Sequence, residues 1–442
     1  MTRGFVRAGF AISAIAASLA LLLITAPTAR AAEDDQRCLA CHGVEGMEKT
    51  LMDGAKLPLH VPGESFAKSV HSSVGCAACH LDVDPASHPP SKKEIKSARD
   101  YSVVSANVCS MCHAEKFEQW DKSVHAALVR DGNAAAPVCT DCHRPHAVIK
   151  ETAATEQTPC QGCHNDIYKA YLGSNHAKAR RNPDTSYAPL CSGCHSAHAV
   201  RPAVLSEGPK AACLGCHSDA LEKHHDWLPN TGLHFEVVSC PACHVPGAQR
   251  RVDLMIYDNQ ARSRLTEQKG VPFFEPRARS GDNGQSLDAL ALWRLLTALN
   301  PEGRQAKVTL RGRLEVAGGP ETHQLADKSK AISDCRTCHR EGSDAFQNVT
   351  ISIAGPDGRR IRQEASAGVL TSVISTNSVG GFYAIGATRI QLLDILLILA
   401  FLSSVGFAIG HVTMRWFFKR HLLANQQALA GDRPSGHAAK KM

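Results

Sequence analysis

CSMCHAEKFEQWDKSVHAALVRDGNAAAPVCTDCHRPHAV, residues 109–148, and CQGCHNDIYKAYLGSNHAKARRNPDTSYAPLCSGCHSAHAV, residues 160–200, are two copies of one unit. Each opens on a Cys-x-x-Cys-His motif, and twelve residues after its histidine comes another: His125 after His113, His176 after His164. A second motif follows, extended to Cys-x-x-Cys-His-x-x-His, so that His146 and His198 each precede Ala-Val. Aligned over 109–150 and 160–202, the copies begin 51 residues apart, the mark of a repeated supersecondary unit. Segments 114–124 and 165–175 predict helices that open at the motif, carrying Phe117 and Trp120 or Tyr168 and Tyr171.

Looser copies lie on either side. Cys38 and Cys76 open one pair of motifs, with His71 just ahead of the second; Cys213 and Cys240 open another, with His234 similarly placed. Four two-motif modules in series describe residues 32–250. A ninth motif begins at Cys335.

All 18 cysteines fall in these nine motifs: Cys38 and Cys41, Cys76 and Cys79, Cys109 and Cys112, Cys139 and Cys142, Cys160 and Cys163, Cys191 and Cys194, Cys213 and Cys216, Cys240 and Cys243, Cys335 and Cys338. Cys-x-x-Cys followed directly by histidine is the attachment signature for c-type haem. Two thiols add to the two vinyl groups of one porphyrin, and the adjacent imidazole reaches its iron. Zinc ribbons and thioredoxin-like redox pairs also use Cys-x-x-Cys. A structural zinc site, however, needs two such pairs and no fixed histidine. The sequence therefore predicts nine covalent c-type haems, bound at iron by His42, His80, His113, His143, His164, His195, His217, His244 and His339.

The second axial position decides between electron transport and catalysis. Outside the motifs, in the part expected to be exported, lie His60, His71, His88, His125, His146, His176, His198, His224, His225, His234 and His323. Supply meets demand if one of His224 and His225 serves and His88, beside two prolines, is spare. Met47, Met52 and Met111 are the other candidates, and methionine would raise a potential. With histidine sufficient, bis-histidine irons of low potential are expected.

Eight motifs within residues 38–244 leave about 26 residues for each, too few to build a side-chain core. The expected class is mostly α and irregular, packed on porphyrin. After His244 the pattern changes. Segments 251–257, 308–316, 349–353 and 360–364 read as strands, with Pro356-Asp357-Gly358 as a hairpin turn. Segment 286–299 reads as an amphipathic helix capped by Ser286. Residues 251–388 are expected to form a small α+β domain around the ninth motif.

Both ends suggest a membrane. Arg3 and Arg7 precede an apolar run and Ala29-Arg30-Ala31, so 1–31 reads as a signal peptide, with a retained anchor as the alternative. Residues 395–414 lack Asp, Glu, Lys and Arg over a length that crosses about 30 Å of hydrocarbon. Arg415, Lys419 and Arg420 follow. The expectation is a transmembrane anchor at 389–418 with a basic cytoplasmic tail at 419–442 and the haem region outside the cytoplasmic membrane. A buried core helix is the alternative. The formal charge of +7 offsets haem propionates and does not argue for nucleic acid.

The unit Cys-x-x-Cys-His, aromatic helix, Ser-x-His, Cys-x-x-Cys-His-x-x-His resembles the periplasmic multihaem cytochrome c superfamily over residues 38–244. That group includes cytochrome c3-like chains, membrane-anchored quinol dehydrogenase cytochromes and octahaem reductases. The resemblance implies electron transfer, a b-type cytochrome or other quinone-handling subunit as membrane partner, and periplasmic redox proteins as the other partners. Catalytic relatives replace one motif histidine by lysine; here every motif keeps histidine. A reductase of nitrite, hydroxylamine or a sulfur oxyanion is the alternative function and would need a five-coordinate haem.

Overall fold

A computed structural model describes residues 35–431, apart from 85, 89–93, 150–157, 201–207, 280–285, 301–306, 358, 374–378, 381–383 and 385. The expected signal peptide lies outside the described residues, as does the end of the tail.

Residues up to about 245 form short helices and turns around the motifs. Their buried apolar residues are Leu51, Val138 and a set of alanines that includes Ala106, Ala126, Ala170 and Ala177. Larger side chains such as Val70, Val74, Leu81, Val104 and Met111 stand exposed. This stretch cannot be held together by its own side chains. One small hairpin, β1 (Glu48–Thr50) with β2 (Lys56–Pro58), is absent from the sequence expectations.

Both repeat helices break earlier than expected. Ala114–Asp121 gives way to Val124–Arg130, and Asn165–Leu172 to Asn175–Arg180. The cause is a buried serine that caps the second helix. Ser123 Oγ accepts from Ala126 N–H, and Ser174 Oγ from Ala177 N–H. The Ser-x-His sequence is thus a cap with a histidine at the second helical position.

The side-chain core lies in the C-terminal part. A mixed sheet runs in the order β7-β6-β3-β5-β8, with β4 paired to β3. Its strands are β3 (Arg250–Asp258), β4 (Ser263–Arg264), β5 (Val308–Val316), β6 (Val349–Ala354), β7 (Arg360–Ala365) and β8 (Val379–Gly380). Val252, Leu254, Ile256, Leu310, Leu314, Ile351 and Ile353 point to one face and pack with Phe274, Leu292 and Leu295. The helix carrying Leu292 is Ala289–Leu299, and its cap is Asp288 rather than Ser286. The start is displaced because Leu287 is buried and bridges to Ala365.

The last helix, Gln391–Gly431, runs through the expected anchor and into the expected tail. Its apolar span has a mean hydropathy of 2.5, and none of it is buried. Forty-one residues give about 60 Å, twice the hydrocarbon thickness. Asp394 at its N-terminal end pairs with Arg389 at 2.6 Å.

Candidate functional site: nine facing histidine pairs

Each motif closes a single helical turn. The histidine N–H donates to the carbonyl of the first cysteine, at 2.8 Å for His339 and 2.9 Å for His113, His143, His164 and His217. The turn gathers two sulfurs and an imidazole on one side, as attachment of a single porphyrin requires.

Each motif histidine then faces one histidine from elsewhere. Ring centroids are 6.1 Å apart for His42–His88, 6.0 Å for His113–His71 and 6.0 Å for His80–His146. They are 6.5 Å for His164–His125, 5.9 Å for His143–His198 and 6.2 Å for His217–His176. The last three are His195–His323 at 5.9 Å, His244–His224 at 6.1 Å and His339–His234 at 6.1 Å. Two metal–imidazole bonds of about 2 Å, plus ~1.1 Å from each nitrogen to its ring centre, give about 6.2 Å. The pairs fit one iron between two imidazoles. Among the described residues no three or more His, Cys, Asp or Glu groups converge as a metal cluster, so the arrangement is axial, not tetrahedral.

Outer hydrogen bonds set the ring nitrogens. His42 Nδ1–H donates to Leu59 O at 2.8 Å, leaving Nε2 for iron. His224 and His323 donate from Nδ1 to the carbonyl four residues back, at 2.7 and 2.9 Å. Burial, then the facing imidazole, lowers the pKa of His125, His146, His176, His195 and His244. They stay neutral, the form that binds metal.

The partners cross module boundaries. His71, His125 and His176 each face the first motif of the following module, and His234 faces the ninth motif. His146 and His198 each face the second motif of the module before, and His323 faces that of the third module, past the fourth. A backbone bond accompanies each such exchange. Val70 N–H donates to Val148 O at 2.8 Å, Val124 to Val200 at 2.9 Å and Asn175 to Leu325 at 2.7 Å. Glu321–Leu325, which has no cysteine, takes the place that His-x-x-His-Ala-Val holds in the repeats.

The sulfurs order the motifs. Within modules Cys139 lies beside Cys109, Cys191 beside Cys160 and Cys213 beside Cys240. Cys76 lies near Cys38, and its N–H donates to Asp35 Oδ1 at 2.7 Å. Between modules, Cys79 adjoins Cys109 and Cys112, Cys194 adjoins Cys216, and Cys243 adjoins Cys338. The turns carrying the fourth and fifth motifs pack together. Neighbours in space follow the sequence from the first motif to the ninth.

One placement differs from the sequence expectation, and one choice left open there is resolved. His88, not His60, faces His42, and of the adjacent pair His224 faces His244 while His225 is exposed. Leu59 binds the Nδ1 side of His42, which keeps the neighbouring His60 off the iron side. His88 is delivered by a turn built on Asp84, which accepts from Ala86 N–H at 3.0 Å and Ser87 Oγ at 2.9 Å. That Asx turn was the available signal. Met52 and Met111 are exposed, and every motif is opposed by histidine.

Residues 159–245, which hold motifs five to eight, match the family described as cytochrome c554 and c-prime. No curated protein and no solved structure matches the chain. The fold and the site define a multihaem c-type cytochrome with covalently bound haem.

Proposed function

We propose that the chain is a membrane-anchored nonahaem cytochrome. It passes electrons between a quinone-handling partner, such as a b-type cytochrome, and periplasmic redox proteins. One observation carries this reading: each of the nine motif histidines faces a second histidine, which leaves no iron with a position open for substrate. Haem supplies one-electron exchange at iron without bond making. The chain supplies eighteen thioether positions, eighteen axial imidazoles and a sequence-ordered packing of the motifs.

The membrane end supports the same reading. The ninth motif lies against the segment leading into the last helix, where a Cβ on Gly386 would meet His339 O at 3.1 Å. A cavity of about 650 Å³ opens between Glu341–Gly342 after that motif and Arg389–Leu392 at the start of the helix. That volume suits a small organic ligand. Among the described residues no cysteine or histidine lines it. Arg415, Lys419 and Arg420 favour a cytoplasmic tail and a haem region in the periplasm.

Pyridine haemochrome assay and intact mass of the mature chain test the cofactor count, and both are expected to give nine haems. Electron paramagnetic resonance of the ferric protein tests the role. Only low-spin signals are expected; a stoichiometric high-spin haem would transfer the protein to the reductase class.

A further inference from the structure

The sheet face opposite the hydrophobic core is paved with arginine. Residues paired in register share a face. Asp253 pairs with Arg313 and Thr350, Arg251 with Glu315, Met255 with Arg311, Ser352 with Arg362, and Tyr257 with Arg264. Six guanidiniums gather there, those of Arg251, Arg264, Arg311, Arg313, Arg360 and Arg362. The carboxylates on this face of the strands are Asp253, Glu315 and Glu364, which leaves three positive charges over.

The base of this face is rigid. Asp253 is fully buried and accepts from Thr350 Oγ1 at 3.0 Å and Ser352 Oγ at 2.9 Å. Arg360, its side chain 5% exposed, lies flat over the small residues of β6 and pairs with Asp253 at 2.6 Å and Glu315 at 2.7 Å. Both buried carboxylates are thereby consumed. The remaining arginines have an oversupply of donors: Arg251 Nε, Arg264 Nη1 and Arg313 Nε are buried without a hydrogen-bond partner among the described residues. Burial, then the neighbouring Arg360, pushes Arg264 down to about 10. Above this layer Arg311 and Arg362 stand exposed, Arg311 resting on the Tyr257 ring at 3.5 Å from its centre.

The face is also continuous with a haem motif. Ser239, directly before Cys240, donates its N–H to Leu314 O at 2.9 Å, and Leu314 neighbours Arg313. A protein seated on the arginines would lie next to the eighth motif.

We propose that this arginine face is a docking surface for an acidic redox protein outside the membrane. Uncompensated, preorganised guanidiniums on a rigid sheet steer and orient carboxylate-rich surfaces. The choice of an acidic protein follows from the charge left over and from the adjoining haem motif. The docking itself can be tested independently of the direction of electron flow.

The test uses the full-length haem-loaded protein in detergent and the double reversal Arg311→Glu/Arg362→Glu. Both sites are exposed, and among the described residues the ion pairs of Asp253 and Glu315 go to Arg360 and to neither of them; an unchanged low-spin haem spectrum would confirm folding. Fluorescein-labelled polyglutamate is the probe, read by anisotropy at low salt. We expect about tenfold weaker binding in the double variant. Lys178→Glu, on an exposed site in the third module, should bind as wild type does, and high salt should abolish binding in all three. Wild-type affinity in the double variant would overturn the proposal, because the arginines would then be engaged internally, by haem propionates for instance. Equal weakening by Lys178→Glu would overturn it too, by reducing the effect to net charge.

Discussion

His195 and His323 face each other with ring centres 5.9 Å apart, although one belongs to the third repeat module and the other to the C-terminal domain. The same junction carries the backbone bond from Asn175 to Leu325. The C-terminal domain therefore supplies a ligand that the fourth module lacks, since that module has Gly247 where the repeats carry His146 and His198.

Replacing His323 by alanine should accordingly leave nine haems attached and open one iron, that of the sixth motif. One high-spin ferric haem in nine and carbon monoxide binding to one ferrous haem are the expected signals. A fully low-spin variant would show that another side chain serves His195.

His88 and His60 give a sharper discrimination, since sequence position alone favours His60. His88→Ala should open the first haem, while His60→Ala should leave every haem low-spin. The opposite result in carbon monoxide titration would restore His60 as the ligand.

The repeat histidines were legible because a 51-residue self-similarity carries its own internal control. His125, His146, His176 and His198 needed only alignment. What could not be read was which iron each one serves, because every exchange between repeats joins residues remote in sequence. His88 was masked by its prolines; the Asp84 turn could be read from Asp-x-x-Ser, but not that it folds that loop back to His42. Strands β3, β5, β6 and β7 were legible from β-branched alternation. The cap of helix 289–299 was displaced by one tertiary contact, Leu287 on Ala365.

Imidazole planes divide the pairs into two groups. Seven pairs have interplanar angles between 13° and 46°, whereas His224–His244 and His234–His339 stand at 65° and 66°. Parallel planes both select one iron d orbital and split it from its partner. Crossed planes compete and leave the two nearly degenerate. Two of nine ferric haems are therefore expected to give the strongly anisotropic low-spin signal and the remainder the ordinary rhombic one. Spin quantitation checks the ratio, and nine rhombic haems would contradict the crossed geometry at the membrane end.

The C-terminal domain should also be acid-sensitive in a defined way. Burial pushes the Glu315 carboxyl up, but Arg360, Arg313 and Arg362 outweigh it and hold the group below its ordinary value of 4.5. A depressed acid contributes stability that is fully present above 4.5 and is lost as pH falls through the lower folded-state value. Glu315→Gln should cost about 1–3 kcal/mol at neutral pH by leaving Arg360 partly unpaired. Guanidinium midpoints at pH 7 and pH 4 measure both effects. The variant should start lower and fall less between the two values than the wild type does. Equal falls would place the acid sensitivity elsewhere.

The last prediction concerns the membrane helix, where structure meets the proposed role. Its apolar stretch is exposed on every side, Asp394 at its N-terminal end is neutralised by Arg389, and basic residues follow the stretch on its C-terminal side. Within the uncharged stretch 395–414 the helix carries one histidine, His411, and one helix cannot hold a haem between two of its own histidines. On the proposed reading the helix fixes the ninth motif and its adjoining cavity at the membrane surface. Truncation after Gly380 should release a soluble protein with nine haems, reduced normally by dithionite but no longer by quinol in membranes. His411→Ala should change quinol-dependent reduction little, since the histidine sits near the headgroups and can be solvated there. If the truncated protein still takes electrons from quinol at the full rate, the membrane is not its donor. The ninth haem would then have no privileged place in the chain of transfer.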